Sequence, residues 1–122
     1  MSGQRRELLQ WFGLFGGPAA WATHLVVGFQ LTEASCTPGV GPFSASWALA
    51  ALTVAAAAVV LLAEAAAVVV FRELDRLDKD APGPDGRRRF LAAGAMVGNG
   101  LLFVAVVLAG IATLAQSGCR GA

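Results

Sequence analysis

The chain has 122 residues, which suits one domain by length, and 57% of them are hydrophobic. Charged residues make up only 14%, whereas ordinary globular proteins have roughly 25%, and the mean hydropathy is +0.66. This composition excludes an ordinary soluble domain, and the net charge of +1 gives no indication of nucleic-acid binding. We therefore predict a single transmembrane domain over residues 1–122.

Three long apolar segments follow one another along the chain. They cover about residues 8–31, 47–71 and 90–115, and about 20 apolar residues are enough for a helix to cross a bilayer. Helices are expected because an open strand would leave its backbone polar groups unsatisfied in lipid. The Pro- and Gly-rich stretch 37–42 separates the first two segments. The sequence thus predicts an all-α integral membrane protein that forms a three-helix bundle.

Pro18 lies inside the first apolar segment. It removes a backbone hydrogen bond to Leu14, so we expect a kink there. In an alternative arrangement, an interfacial helix ends at Phe15 and a short membrane span begins at Pro18. Cleavage as a signal peptide is not expected, because Gly16, Gly17 and Pro18 interrupt the apolar stretch.

The connection between the second and third segments covers about residues 72–89 and is predicted to begin as a continuation of helix 2. Phe71, Leu74 and Leu77 recur at helical spacing, and Asp75 and Lys79 lie four residues apart, where they can pair. We favour a solvated helical extension there over a dedicated docking element.

Basic residues indicate how the chain is oriented. Eight of the nine lie near the N-terminus or in the 72–89 connection, and Lys and Arg near helix ends stay on the cytoplasmic side. We therefore expect a cytoplasmic N-terminus, a cytoplasmic 72–89 connection and a periplasmic C-terminus. The expected location is the bacterial inner (plasma) membrane, crossed three times.

The two cysteines fall on the same side of the membrane in this topology. Cys36 follows the first helix and Cys119 follows the third, and an oxidising periplasm favours disulfides. We predict a Cys36–Cys119 disulfide that joins the outer ends of helices 1 and 3. A redox-active pair is the alternative, but the CxxC spacing typical of such pairs is missing.

Three polar residues within the apolar segments are candidates for function, because polar groups in a membrane are costly and usually face the bundle interior. Glu64 lies eight residues before Arg72, and Asn99 lies ten residues after Arg89. These two side chains are therefore at similar depths and can hydrogen-bond between helices 2 and 3. A proton path or a contact with a partner subunit is the functional alternative. His24 lies further out, so pairing with Glu64 would need a tilt, a kink or a bridging water.

No cofactor or catalytic group is expected from this pattern. His24 is the only histidine, and Met96 lies at the wrong depth to share a haem or metal ion with it. A Gly-rich phosphate loop is missing, and no nucleophile stands beside the histidine. The sequence therefore favours a protein that is not an enzyme and binds no metal.

Small residues predict where the helices pack, because they let backbones approach closely in lipid. The expected packing positions are Gly13, Gly17 and Gly28, in one stripe with Ala20 and His24 on helix 1, and Gly94 and Gly98 on helix 3. The same pattern could serve a partner protein.

The stretch from Gly17 to Leu25, GPAAWATHL, together with Cys36 and a late Cys119, resembles a family of small bacterial membrane proteins encoded beside haem–copper (cytochrome c) oxidase genes. The resemblance implies a non-catalytic accessory subunit or assembly factor of a respiratory oxidase. Its expected partners are the lipid bilayer and a larger membrane protein complex.

Two other functions are kept as alternatives. One is a small transporter or proton-conducting protein that uses Glu64 and His24, necessarily as a homo-oligomer because three helices enclose little space. The other is an extracytoplasmic thiol oxidoreductase that uses the two cysteines.

Overall fold

The computed structural model describes residues 2–35, 45–77 and 83–115, and each of these ranges is helical. Helix α1 spans Gly3–Ser35, α2 spans Ala45–Leu77 and α3 spans Pro84–Ala115. All three are long and apolar enough to cross a membrane, which confirms the predicted all-α architecture. Cys36 and Cys119 lie outside the described residues, so the disulfide stays a prediction.

Local signals mark the starts of α1 and α3, which begin before the corresponding apolar segments. The backbone N–H of Arg5 donates to Ser2 Oγ at 3.2 Å, which is a typical N-terminal cap. Pro84 opens α3, where its missing N–H leaves no helical hydrogen bond unmade. Gly83 precedes it with a φ of 80°, a conformation that glycine adopts readily. Much of the predicted 72–89 connection is therefore helical.

Pro18 lies within α1, and the helix continues through it from Gly3 to Ser35. The alternative with an interfacial helix ending at Phe15 is therefore wrong. Gly13 and Gly17 before the proline and His24 after it contact the other helices, so both sides of Pro18 are packed within the bundle.

The three helices run up, down and up, and every pair is in contact. Gly13 of α1 lies against Ala67, near the end of α2, and His24 lies against Thr53, nearer its start, so α1 and α2 are antiparallel. On α3, Asn99 reaches Gly13, and Gly110, further along, lies against Thr53. The beginnings of α1 and α3 therefore lie at the same end of the bundle as the end of α2.

Small side chains fill the interior, and large apolar side chains face outward. The largest fully buried side chains are Val60, Val70, Val106 and Asn99. By contrast, Phe29 is 68% exposed and Phe90 is 77% exposed. This arrangement suits a bundle surrounded by lipid, in which close backbone approach drives helix association.

The last turns of α2 pack against the rest of the chain. Leu74 is 2% exposed and belongs to a buried cluster with Val70 and Ala92. Asp75 Oδ1 lies 2.8 Å from a guanidinium nitrogen of Arg89, and this guanidinium stands 5.3 Å from the centre of the Phe71 ring. The predicted solvated extension is thus wrong on this face, because α3 starts early enough to lie beside it.

Gly13 of α1 occupies a close helix contact and Gly28 an ordinary one, whereas two glycines on α3 occupy none. A Cβ atom added at Gly13 would lie 3.0 Å from the backbone nitrogen of Ala67, and one added at Gly28 would lie 3.8 Å from Leu52. A Cβ added at Gly94 or Gly98 would meet nothing within 4 Å. The expected packing role of these two is not seen within the bundle, because neighbouring positions of α3 form its inward face.

Candidate functional site: two buried polar layers

The inner polar layer is centred on Asn99 of α3, which is 2% exposed. Its Nδ2 donates to the Gly13 carbonyl oxygen at 2.8 Å, and its side chain also hydrogen-bonds the Glu64 carboxyl. Gly17 makes this possible, since a Cβ there would lie 2.1 Å from Asn99 Oδ1. The structure thus brings Glu64 and Asn99 together, as their equal depth predicts, and adds α1 to the contact.

Glu64 keeps one unused acceptor in this layer. Its Oε2 is buried and has no hydrogen-bond partner among the described residues. An unsatisfied buried polar atom costs about 1–3 kcal/mol. The inner layer therefore has the capacity to form one further hydrogen bond.

The outer polar layer is centred on His24 of α1, which is 4% exposed. Its Nε2 lies 3.0 Å from Thr53 Oγ1, and the Thr53 hydroxyl donates to the Leu49 carbonyl oxygen at 2.8 Å. Because that hydroxyl has only one hydrogen, the Nε2–H must donate to Thr53. In the neutral imidazole Nδ1 is then an acceptor, and it has no partner within the described ranges.

Gly110 brings α3 close to the outer layer. A Cβ atom at this position would lie 2.3 Å from the Thr53 methyl carbon and 2.6 Å from its hydroxyl oxygen. Glycine therefore plays the same part here as Gly17 plays in the inner layer. In both layers the polar side chain is held where three helices meet.

Apolar packing separates the two layers. Thr53 and Glu64 lie 11 residues apart on α2, which corresponds to about 16 Å along the helix axis. Between them lies a cluster in which Val60 and Val106 are both 0% exposed. His24 and Glu64 therefore do not meet, and His24 pairs with Thr53 instead.

Thr53 and Gly110 were not identified from the sequence. A signal for Thr53 existed: it lies six residues after Trp47, and His24 lies seven residues before Leu31. In an antiparallel helix pair those positions have similar depths. Gly110 carries no comparable signal, because glycines also occur where they contact nothing.

The two layers are suited to joining helices. Within the described ranges, no group of three or more His, Cys, Asp or Glu side chains comes together in a way that could hold a metal ion. Each layer connects helices through hydrogen bonds and retains one unpaired acceptor atom, Nδ1 of His24 or Oε2 of Glu64.

The three long apolar helices of the described ranges define a multi-pass membrane protein. No family model matches the chain, and no curated protein or solved structure is significantly similar to it.

Proposed function

We propose that this chain is a non-catalytic accessory subunit or assembly factor that packs against a larger membrane protein complex in the bacterial inner membrane. The proposed partner is a respiratory haem–copper oxidase, which is the partner implied by the resemblance of residues 17–25. The orientation with a cytoplasmic N-terminus belongs to the same proposal and depends on the distribution of basic residues.

The observation that carries the accessory role is an outward strip of small residues on α3. We call it the α3 small-residue surface; it consists of Gly94, Gly98, Ala105 and Ala112, all of which are at least partly exposed. At 100° per residue these positions fall within about 40° of one another and extend over about 27 Å. Leu101 lies on the same face, about 20° outside this range and between Gly98 and Ala105 along the axis, and it is 68% exposed.

Glycine at Gly94 and Gly98 has no use within the isolated bundle. A glycine in a helix interior costs up to about 1 kcal/mol relative to alanine, and neither position gains a close helix contact in return. In membranes, glycines four residues apart let a second helix approach closely. A helix of a partner protein on this surface would give the two glycines the role that Gly13 and Gly17 have inside the bundle.

The arrangement of the polar groups favours this role over proton conduction. A proton path through one chain would have to cross the apolar cluster that separates Glu64 from His24. The conducting alternative is favoured by the unpaired Glu64 Oε2 and His24 Nδ1.

Proton flux into liposomes that contain the purified chain tests the conducting alternative. Flux that is lost in Glu64→Gln and kept in Glu7→Gln, at the exposed start of α1, would support conduction.

Co-purification tests the accessory role. A tagged chain is extracted in mild detergent from a bacterium that contains a haem–copper oxidase, and its partners are identified by mass spectrometry. We expect oxidase subunits with the unaltered chain and their loss with Gly94→Leu/Gly98→Leu. Gly100→Leu is the matched control, because a Cβ at Gly100 also meets nothing within 4 Å and the residue lies about 200° around α3 from Gly98.

Two outcomes would contradict the proposal. Recovery of the chain without oxidase subunits would refute the proposed partner. Equal recovery with both sets of variants would refute the role of the α3 small-residue surface.

A further inference from the structure

A basic pocket lies at the end of the bundle where α1 and α3 begin. It has a volume of about 310 Å³ and is lined by Glu7, Gln10 and Trp11 of α1 and by Arg87, Arg88 and Leu91 of α3. With two guanidinium groups and one carboxylate, the lining carries a formal charge of +1. Positive charge between helices at a membrane boundary suits the phosphate of a lipid headgroup.

The two arginines in the pocket differ from their neighbour Arg89. Arg89 is engaged with Asp75 and Phe71. Arg87 and Arg88, in contrast, form no ion pair with any side chain in the described ranges. Their guanidinium groups are therefore available to an anion from outside the chain.

An apolar groove adjoins the basic pocket and shares Trp11 with it. The groove has a volume of about 770 Å³ and lies between α1 and α2, from Leu8 near the bundle end to His24. Trp11 and Phe15 stack along its wall, with ring centres 5.5 Å apart and planes within 5°. The two ends of the groove on α1 lie 16 residues apart, or about 24 Å, which exceeds the roughly 15 Å half-thickness of a bilayer core.

From this pairing of a cationic pocket with a long apolar groove, we propose that the chain binds one anionic phospholipid. Its phosphate lies between Arg87 and Arg88, and one acyl chain lies in the α1–α2 groove beyond Trp11. The charge of +1 in the pocket complements the charge of −1 on a phosphatidylglycerol headgroup. Free phosphate would use only the pocket, and a protein helix would use only the groove; a phospholipid uses both.

Native mass spectrometry of the purified chain in detergent, titrated with phosphatidylglycerol or phosphatidylcholine, tests the headgroup assignment. We expect saturable binding of one phosphatidylglycerol molecule and at least tenfold weaker binding of phosphatidylcholine. An arginine near the membrane surface contributes about 1 kcal/mol toward an anionic lipid, which is about fivefold in affinity. Arg87→Gln and Arg88→Gln should each weaken binding by about that factor, and Glu7→Gln should strengthen it.

A matched control separates a site from general attraction. Arg72→Gln/Arg76→Gln removes the same charge as the double variant Arg87→Gln/Arg88→Gln, but from exposed positions near the end of α2, and neither Arg72 nor Arg76 lines the pocket. We expect less than a twofold change. Equal losses in the two double variants would overturn the proposal and indicate unspecific attraction.

The groove is tested separately with alanines that are exposed and therefore tolerate a larger side chain. Ala19 lines the groove, whereas Ala22 is exposed on α1 outside it. Ala19→Phe should weaken phosphatidylglycerol binding severalfold, and Ala22→Phe should leave it unchanged. No effect of Ala19→Phe, together with full competition by inorganic phosphate, would show a phosphate site without a lipid and would overturn the proposal.

Discussion

Gly17 lies directly against the Asn99 side chain, so a substitution there tests the packing of the inner polar layer. In Gly17→Ala the added Cβ would lie 2.1 Å from Asn99 Oδ1, while ordinary contacts of a Cβ begin at 3.4 Å. The Asn99 side chain must therefore turn away, and it then loses its hydrogen bonds to the Gly13 carbonyl and to Glu64.

The size of the effect follows from three contributions. Interhelical hydrogen bonds in membranes are worth about 0.6 kcal/mol each on average, and an added methyl in a packed core costs about 1–3 kcal/mol. The gain from replacing a helical glycine offsets up to about 1 kcal/mol. We therefore expect Gly17→Ala to lower the free energy of unfolding by about 2 kcal/mol.

Reversible unfolding in mixed micelles with increasing dodecyl sulfate, followed by circular dichroism, measures this loss. Gly94→Ala is the matched control, since its Cβ meets nothing within 4 Å, and it should be neutral or slightly stabilising. In an Asn99→Ala background the Gly17→Ala substitution should cost less than about 1 kcal/mol, because its main steric conflict is gone. Equal stability of Gly17→Ala and Gly94→Ala, or additive effects in the Gly17→Ala/Asn99→Ala variant, would show that Gly17 and Asn99 do not pack in this way.

Three further predictions concern other contacts. Thr53→Val should destabilise the bundle by about 0.6–1.7 kcal/mol in the same unfolding assay, because the histidine loses its acceptor, whereas Thr53→Ser keeps the hydroxyl and should be milder. Asp75→Asn should cost only about 0.2–1 kcal/mol, and the cost should shrink as salt is added, since the ion pair it breaks is partly exposed; a salt-independent loss would show that packing dominates. For the predicted Cys36–Cys119 disulfide, alkylation followed by mass spectrometry should modify neither cysteine before reduction and both after it; two thiols that are modified without reductant would rule the disulfide out.

Depth in the membrane was the property that the sequence predicted best. The rise of 1.5 Å per residue and the arginines at the helix ends place Glu64 and Asn99 at one level, and the structure joins them. To find the partner of His24, residues must be counted from the other membrane boundary, near which Trp47 lies at the start of α2. A threonine in an apolar helix is only a weak indication of an interhelical contact, because its hydroxyl can donate to the carbonyl one turn earlier. The Thr53 hydroxyl donates to the Leu49 carbonyl in this way.

The rotational phase of each helix could not be predicted in the same way. Gly13 and Gly94 are each followed by a glycine four residues later, yet the pair on α1 lies in helix contacts and the pair on α3 faces open space. In a soluble protein the polar face would distinguish the two cases. Here the surroundings are as apolar as the core, so spacing alone gives no direction.

The inversion of side-chain size between core and surface changes what a substitution means in this chain. Val59 and Val60 are identical neighbours, but Val59 is 37% exposed and Val60 is 0% exposed. A polar side chain would be destabilising at both positions, whereas a change of side-chain volume matters only at the buried Val60. Both positions are therefore constrained in polarity but only the inner one in bulk, so the pattern of tolerated side-chain volumes would record the shape of the interior.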